Sequence, residues 1–236
     1  MRIRKENILV VIPARGGSKG IHMKNIKPLD NKPLLQYTIE LALRLFSSNQ
    51  IVVSTENELI REVAEKCGIE VPELRPEHLA QDNSSTYDVL KDIITRLNPK
   101  DNPYQYLLLL QPTSPFRLTK HIKQAIELYD DSLDMIVSVK ETKSNPYYNL
   151  FEENENGFLS LSKPKEIVGR QYAPTVYEYN GAIYLMSISS LNKQPISKFK
   201  KVKKLVMGKY HSLDIDDEID WKMAELILKK KLIELN

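Results

Sequence analysis

The stretch Ile8-Leu9-Val10-Val11-Ile12-Pro13-Ala14 leads directly into Arg15-Gly16-Gly17-Ser18-Lys19-Gly20. Its first half is a continuous aliphatic run rich in β-branched residues, which is typical of a strand buried on both faces of a parallel sheet. The glycines that follow end this run and predict a loop at the carboxyl end of the strand. Ligands of open α/β sheets bind beyond the carboxyl ends of the strands, so this stretch predicts both a fold class and the place of a site.

Strand and helix patterns alternate over the first two thirds of the chain. Further strands are predicted at Ile51–Thr55, Tyr106–Gln111 and Met135–Val139, with a later one at Gly181–Met186. Amphipathic helices are predicted between them, including one over Glu58–Cys67 that stops at Gly68. This rhythm predicts a layered α/β sheet.

Polar residues mark where other helices are predicted to begin. Ser84 or Ser85 is expected to cap one helix, and Thr119 the next. The final helix is predicted to begin near Asp217 and to carry Lys229–Lys231 in its last turn, as the helix dipole favours.

The pattern changes between residues 140 and 177. Asn156-Gly157 stands between two short aromatic and aliphatic stretches and predicts a β-hairpin turn. About 40 residues are too few to bury a core alone, so we expect an inserted β arm within a single domain spanning residues 1–236.

Composition restricts the class of protein. Charged residues make up 28 % and apolar residues 42 % of the 236 residues, which is typical of a soluble globular enzyme. The formal charge of +3 is too small to predict a nucleic-acid partner and is compatible with an anionic small substrate. Cys67, the only cysteine, excludes an internal disulfide and is expected in the core. No apolar run approaches the ~20 residues of a membrane span, and the short apolar run near the N-terminus lacks a signal-peptide cleavage site. We therefore expect a cytoplasmic protein.

The loop after the first strand has the composition of a phosphate-binding loop. Its glycines, Gly16, Gly17 and Gly20, would let the backbone bend tightly and point amide groups at an anion. Arg15, Lys19 and Lys24 add positive charge, which predicts a triphosphate as the ligand. Neither the dinucleotide fingerprint nor the P-loop pattern occurs here. The alternative from the loop alone is a glycine turn with solvated lysines.

An acidic segment near the C-terminus is the second candidate. In an extended segment Asp214 and Asp216 would lie on one face, about 7 Å apart, which suits the binding of one or two Mg²⁺ ions. The alternative is that Asp216 caps the final helix.

The remaining polar motifs carry weaker signals. The segment Gln111–Arg117 follows the central strand, where it would either hydrogen-bond a ligand or form a plain proline-rich turn. The four histidines show no metal-binding spacing and are assigned no role. Lys198–Lys204 is interpreted as a solvated strand edge in preference to a polyanion site.

Five segments together resemble the acylneuraminate cytidylyltransferases, the enzymes that activate sialic, legionaminic and pseudaminic acids. They are IPARGGSKGIHMKNI (12–26), RPEHLAQDNSST (75–86), LLQPTSPFR (109–117), NGAIY (180–184) and DIDDEIDW (214–221). They occur in the order found in the family and span nearly the whole chain. The resemblance implies a three-layer, mostly parallel nucleotide-binding sheet of the nucleotide-diphospho-sugar transferase type. It also implies that the inserted arm makes a homodimer.

The resemblance also implies residue roles. The nucleotide would be bound by Ala14, Arg15, Gly16, Gly17, Ser18, Lys19 and Asn25 around the phosphates, and by Arg75, Ser85 and Thr86 around the cytidine. The sugar would be bound by Gln111, Tyr184 and the arm residue Arg170. The catalytic set would be Arg15, Lys24, Asp214 and Asp216, with Mg²⁺ on the two aspartates.

The reaction implied is that of CTP with a nonulosonic acid, giving the CMP-sugar and pyrophosphate. Two residues depart from the family pattern: His22 stands where proline is frequent, and Glu178 where arginine is frequent. Glu178 puts the identity of the sugar in doubt more than the reaction. The alternatives are a 3-deoxy-octulosonate cytidylyltransferase, and a non-catalytic nucleotide-binding scaffold on the same fold.

Overall fold

A computed structural model describes residues 3–81, 84–97, 104–163 and 169–235. The strands are β1 (Ile8–Pro13), β2 (Pro28–Leu29), β3 (Lys32–Pro33), β4 (Ile51–Ser54), β5 (Tyr106–Leu109), β6 (Met135–Glu141), β7 (Phe151–Glu153), β8 (Leu159–Leu161), β9 (Tyr177–Ser187) and β10 (Val202–Val206). The helices are α1 (Leu34–Leu43), α2 (Glu58–Lys66), α3 (Thr86–Leu97), α4 (Thr119–Leu128), α5 (Ile188–Lys193) and α6 (Glu218–Lys229).

The central sheet has six strands in the order β10-β6-β9-β5-β1-β4. β1 pairs in parallel with both β4 and β5, and β10 pairs in parallel with β6. β9 lies antiparallel between β5 and β6. The sheet is therefore mostly parallel, as predicted, with β9 as the exception.

Helices cover both faces of this sheet, which confirms the three-layer prediction. Ile8, Val10 and Ile12 of β1 pack in one apolar cluster with α1, α2 and α4. Leu9 and Val11 point to the other face and pack with α3 and α5. Because both faces of β1 are buried, its sequence is apolar without alternation.

A third apolar cluster lies beneath the loops at one end of the sheet. It joins Ile21 from the segment after β1, Phe116 from the segment after β5, and Ile215 and Trp221 from the C-terminal region. Trp221 on α6 is 1 % exposed. This cluster brings three segments that are distant in sequence to one place.

Helix ends test the predicted caps. Gly68 has φ +84 and follows α2, as predicted for a C-terminal stop. The Thr119 prediction is wrong by one residue, because α4 begins at Thr119 and its cap is Leu118, whose N–H donates to His121 Nδ1 at 3.1 Å. α6 ends at Lys229 with Lys230 as its cap, so Lys231 lies beyond the helix.

The predicted β-hairpin is confirmed within residues 140–177, the segment that is predicted to be an inserted arm and is called the arm below. β7 and β8 pair antiparallel, and Gly157 in their turn has φ +78. β6 and β9 form the root of the arm, where Glu141 pairs with Tyr177. Residues 164–168 of the arm lie outside the described residues.

The surface features follow the sequence interpretation. The lysines of β10 lie on an edge strand and are exposed, and Lys203 Nζ pairs with Asp130 Oδ2 at 3.1 Å. Cys67 departs from the expectation of a core residue, because it is only partly buried, against the first apolar cluster. None of the helices in the described ranges is long and apolar enough to cross a bilayer.

Candidate active site

A cleft of about 500 Å³ opens at the carboxyl ends of β1 and β5, and it brings together most of the predicted site residues. The basic side chains on its wall are Arg15, Lys19, Lys24 and Arg75, and the acidic ones are Asp214 and Asp216. The neutral polar residues predicted for the site that line it are Ser18, Asn25, Thr86 and Gln111. Ala14, Gly16 and Gly17 do not line this cleft.

Lys24 links the first loop to the acidic segment. Its side chain is buried, and Nζ donates to the carbonyl oxygen of Ile215 and to Asp216 Oδ1, the latter at 3.3 Å. These contacts join residues almost two hundred positions apart in the chain. The cationic loop and the acidic pair therefore form one site.

The two aspartates lie on the same side of their segment. Ile215 between them is 0 % exposed and packs in the third cluster, so Asp214 and Asp216 both line the cleft. The predicted alternation is confirmed, although the segment belongs to no strand. The helix-cap alternative for Asp216 is excluded, because Asp217 Oδ1 accepts the N–H groups of Ile219 and Asp220 at 2.8 and 3.0 Å.

The aspartates differ in environment. The side chain of Asp216 is 78 % exposed. Burial raises the pKa of Asp214, with a hydrogen bond from Thr113 opposing that shift. Asp214 Oδ1 is buried and has no hydrogen-bond partner among the described residues.

Arg117 is a site residue to which the sequence analysis gave no role. It is 1 % exposed, and it donates from Nε to Ser114 O at 3.1 Å and from Nη2 to Gln111 O. Burial lowers its pKa to about 9, and the nearby charge of Asp214 opposes this shift. Arg117 therefore stabilises the turn after β5 through the carbonyl oxygens of Ser114 and Gln111. It also places a buried positive charge near Asp214. The sequence signal that could have identified it is an arginine that follows a predicted buried strand within a few residues.

Gly181 is a second residue that was missed. It has φ +72, and a Cβ atom there would lie 2.6 Å from Asp214 Oδ2 and 2.8 Å from Gln111 Oε1. β9 thus presents bare backbone to two predicted site residues. The sequence showed Gly181 only as one letter of the segment 180–184.

The backbone bends at Gly16 and Gly20, as predicted for this loop. None of Gly16, Gly17 and Gly20 has positive φ, so these bends do not use left-handed glycine. The N–H of Gly16 donates to Glu56 Oε1 at 2.6 Å and is therefore already engaged. A Cβ atom on Gly20 would overlap the carbonyl oxygen of Asp216. The close approach of the Asp216 backbone is a further reason for glycine at position 20, beside the bend.

The other end of the cleft contains Arg75. This residue is buried and donates from Nε to Ser54 Oγ at 3.0 Å. Burial lowers its pKa, and the charge of Glu56 opposes that shift. Ser85 caps α3, since its Oγ accepts the N–H of Asp88 at 3.1 Å, and it does not line the cleft. Ser84 lines it in place of Ser85.

Two predicted sugar residues lie outside this cleft. Arg170 lines a separate arm cleft of about 510 Å³, where its Nε donates to the hydroxyl of Tyr148 at 3.3 Å. Tyr184 on β9 is partly buried; burial, followed by the charge of Asp214, raises its pKa to about 12. Within one chain, Arg170 therefore does not meet the predicted catalytic residues.

A cationic loop facing an acidic pair at the carboxyl edge of a mostly parallel sheet defines an α/β protein of the nucleotide-binding class. Residues 9–207 match the family described as cytidylyltransferase. The chain belongs to this family of enzymes, which confirms the resemblance found in the sequence.

Named relatives extend over nearly the whole chain. It is 34 % identical over 230 residues to a CMP-N,N'-diacetyllegionaminic acid synthase of Legionella pneumophila, covering 97 % of both chains. It is 35 % identical over 233 residues to an N-acylneuraminate cytidylyltransferase of Escherichia coli, covering 96 % of this chain and 53 % of that longer protein.

A solved structure supports the fold alone. CMP:2-keto-3-deoxy-manno-octonic acid synthetase complexed with CTP superposes with a TM-score of 0.69 at 15 % identity, covering 95 % of this chain and 99 % of that one. This likeness confirms the nucleotide-diphospho-sugar transferase type of sheet.

We predict that Gly181→Ala disrupts the site beyond its effect on stability. The new Cβ would push against Asp214 and Gln111, and displacing reactive groups by ~1 Å costs about 100-fold in rate. Steady-state kinetics on the purified variant would measure this loss. Gly68→Ala is the matched control, because it has φ +84 with no atom within 4 Å of its Cβ and should cost only about 1–2 kcal/mol of backbone strain. Equal activity in the two variants would contradict the role given to Gly181.

Proposed function

We propose that this chain transfers the cytidylyl group of CTP to the anomeric hydroxyl of a nonulosonic acid. The hydroxyl oxygen forms a bond to the α-phosphorus of CTP, and the bond from that phosphorus to the bridging oxygen breaks. The products are the CMP-sugar, pyrophosphate and a proton. The observation that carries this proposal is the contact of Lys24 with Asp216, which places the cationic loop and the acidic pair in one cleft.

The basic residues supply the binding energy for the triphosphate. Arg15, Lys19 and Lys24 line the cleft beside the loop after β1. Positive charges fixed in advance stabilise the charge that develops on the phosphoryl oxygens, and they need no reorganisation during the reaction. Lys24 is buried and held by two acceptors, so its charge is firmly placed.

Asp214 and Asp216 have the chemistry to hold Mg²⁺. Asp214 offers a buried oxygen without a partner among the described residues, and Asp216 offers an exposed carboxylate. The described residues contain no group of three or more His, Cys, Asp or Glu side chains suited to a metal. Two carboxylates completed by phosphate oxygens and water are a typical Mg²⁺ environment. When bound, such an ion neutralises phosphoryl charge and can lower the pKa of a coordinated hydroxyl.

The cytidine is assigned to the end of the cleft near Arg75. Leu79 and Val89 supply apolar surface there, and Ser84 and Thr86 supply hydroxyl groups. A pocket of apolar walls with a few polar groups is suited to a nucleobase. The sugar is assigned to the opposite end, near Gln111.

The sugar end is proposed to be completed by a second copy of the chain. Arg170 lies away from the cleft of its own chain, whereas the arm exposes large apolar side chains. Phe158 and Leu159 are each 70 % exposed, and Tyr172 is 73 % exposed. Apolar patches of this kind mark interaction sites, and they support a homodimer formed by the arms.

We predict that CTP with a nonulosonic acid and Mg²⁺ yields pyrophosphate. A coupled pyrophosphate assay would compare N-acetylneuraminic, legionaminic, pseudaminic and 3-deoxy-octulosonic acids, each with CTP and with ATP. Release confined to CTP and a nine-carbon acid is expected. Release only with the octulosonic acid would favour the 3-deoxy-octulosonate alternative, and the absence of release with every acid would favour a non-catalytic scaffold.

We predict that Asp216→Asn lowers turnover by orders of magnitude without unfolding the chain. Asparagine keeps an Oδ1 acceptor for the buried Lys24 Nζ, so the fold is retained, but the charge needed for the proposed metal is lost. Asp217→Asn is the matched control, because asparagine caps a helix as well as aspartate and one neighbouring charge is still removed. Turnover would be measured with CTP and the accepted sugar, and similar kinetics in the two variants would remove the metal assignment.

We predict that the arm controls assembly. Replacing Phe158 and Leu159 by serine should convert a dimer into a monomer in sedimentation, whereas Leu128→Ser, at an apolar residue of α4 that is 46 % exposed, should not. Mixing Arg170→Ala chains with Asp216→Asn chains tests whether Arg170 acts across the interface. Heterodimers with one intact site should recover activity that neither variant has alone. A wild-type monomer with full activity would contradict the proposal.

A further inference from the structure

The peptide group between Arg15 and Gly16 is held from both sides. Its carbonyl oxygen accepts a hydrogen bond from Asn25 Nδ2 at 2.9 Å. Its N–H donates to Glu56 Oε1 at 2.6 Å. Arg15 lines the cleft, so the orientation of this peptide sets the point from which its guanidinium reaches toward the phosphates.

Glu56 is well placed to act as a fixed support. It lies in the turn between β4 and α2, and the following residue, Asn57, caps α2 by accepting the N–H groups of Leu59 and Ile60 at 3.0 and 3.3 Å. The N–H of Asn57 in turn donates to Thr55 Oγ1 at 3.1 Å. Glu56 is thus held between a strand end and a capped helix.

The loop packs directly on this turn. A Cβ atom on Gly16 would lie 2.8 Å from Asn57 Nδ2. Any larger residue would separate the loop from the turn and lengthen the bond to Glu56. Glycine at position 16 is therefore explained by contact with the turn.

The charge of Glu56 also acts on Arg75, a residue that lines the cleft. Its carboxylate favours the charged form of Arg75, which the positive charge of Arg15 opposes. Glu56 Oε2 is buried and accepts no hydrogen bond within the described part of the chain. Glu56 does not line the cleft, so it is not a contact residue for the nucleotide.

We propose that Glu56 is a positioning residue for nucleotide binding, which acts by holding the Arg15–Gly16 peptide and so aiming Arg15 at the triphosphate. This inference rests on the proposed function, because it assumes that the cleft binds CTP. It assigns Glu56, which lies outside all five motif segments, to the binding machinery.

Two variants separate the hydrogen bond from the other properties of Glu56. Glu56→Gln keeps an acceptor oxygen and loses the charge, whereas Glu56→Met keeps a side chain of similar length and loses the acceptor. We expect Glu56→Met to raise the Kd and KM for CTP by roughly 10- to 100-fold, the range for a lost hydrogen bond to a charged group. Glu56→Gln should stay within about threefold of the wild type. The kcat at saturating CTP should change much less than KM in both variants.

The binding step would be measured by calorimetry with CTP and Mg²⁺ alone, so that no sugar is needed. Glu58→Gln is the control, because it removes an exposed carboxylate two residues further on, at the start of α2, where it pairs with Arg61 of the same helix. Wild-type binding of CTP by the Met variant would overturn the inference. Equal weakening in the Gln and Met variants would also overturn it, since the charge and not the peptide bond would then be responsible.

Failure of this inference is distinguishable from failure of the proposed function. If the wild-type chain itself does not bind CTP, the proposed function fails. Hydrogen exchange of the Gly16 amide provides a test that does not depend on any variant folding. Slow exchange is expected for an amide held by Glu56, and the fast exchange of an open loop would contradict the inference.

Discussion

The buried ammonium group of Lys24 connects the two halves of the site. Removing such a charge from water costs several kcal/mol unless hydrogen bonds replace the lost hydration. Lys24 finds its acceptors in the carbonyl of Ile215 and the carboxylate of Asp216, which belong to the segment before α6. The cationic loop is therefore stable in this position only when the C-terminal segment is also in place.

Apolar packing brings these two segments within reach. Ile21 and Ile215 lie in the same cluster as Trp221, so hydrophobic burial lines up the loop and the acidic segment before any ligand is present. The absence of a side chain at Gly20, which faces the backbone of Asp216, then sets how closely the two segments approach. Hydrophobic burial, which has no preferred direction, determines which segments meet. The hydrogen bonds of Lys24 to Ile215 and Asp216 then fix how they are aligned.

The fold could be predicted from sequence because its signals are local and repeated. Continuous aliphatic runs mark the parallel strands, and β1 keeps this pattern because both of its faces are buried. Most of the cleft was also predictable, since polar motifs that follow parallel strands meet at one sheet edge. Arg15 and Lys24 were found in this way, and the two aspartates from alternation in an acidic segment. Gln111 was left open against a plain turn until the family resemblance gave it a role.

The residues that escaped prediction act through distant contacts. Gly181 matters because Asp214 and Gln111 lie against it, and Arg117 because it meets Thr38 and the charge of Asp214. No local sequence pattern reports such contacts. The Ser85 assignment shows a different limit. Helix α3 begins at Thr86, so the hydroxyl of Ser85 is used in capping, and a shift of one residue decides which serine faces the cleft.

The two ends of the cleft differ in how many of their proposed binding residues a single chain supplies. At the nucleotide end, Arg75 and the Arg15–Gly16 peptide are held by buried hydrogen bonds, so this end is preorganised. At the sugar end, β9 contributes the bare backbone of Gly181, and the Arg170 guanidinium lies in the arm's own cleft. Under the proposed assignment of the two ends, selection of the nucleotide is a property of the single chain. If the arms pair as proposed, selection of the sugar depends on arm residues, such as Arg170, that a second copy of the chain supplies. These residues can vary without changing the residues that bind the phosphates.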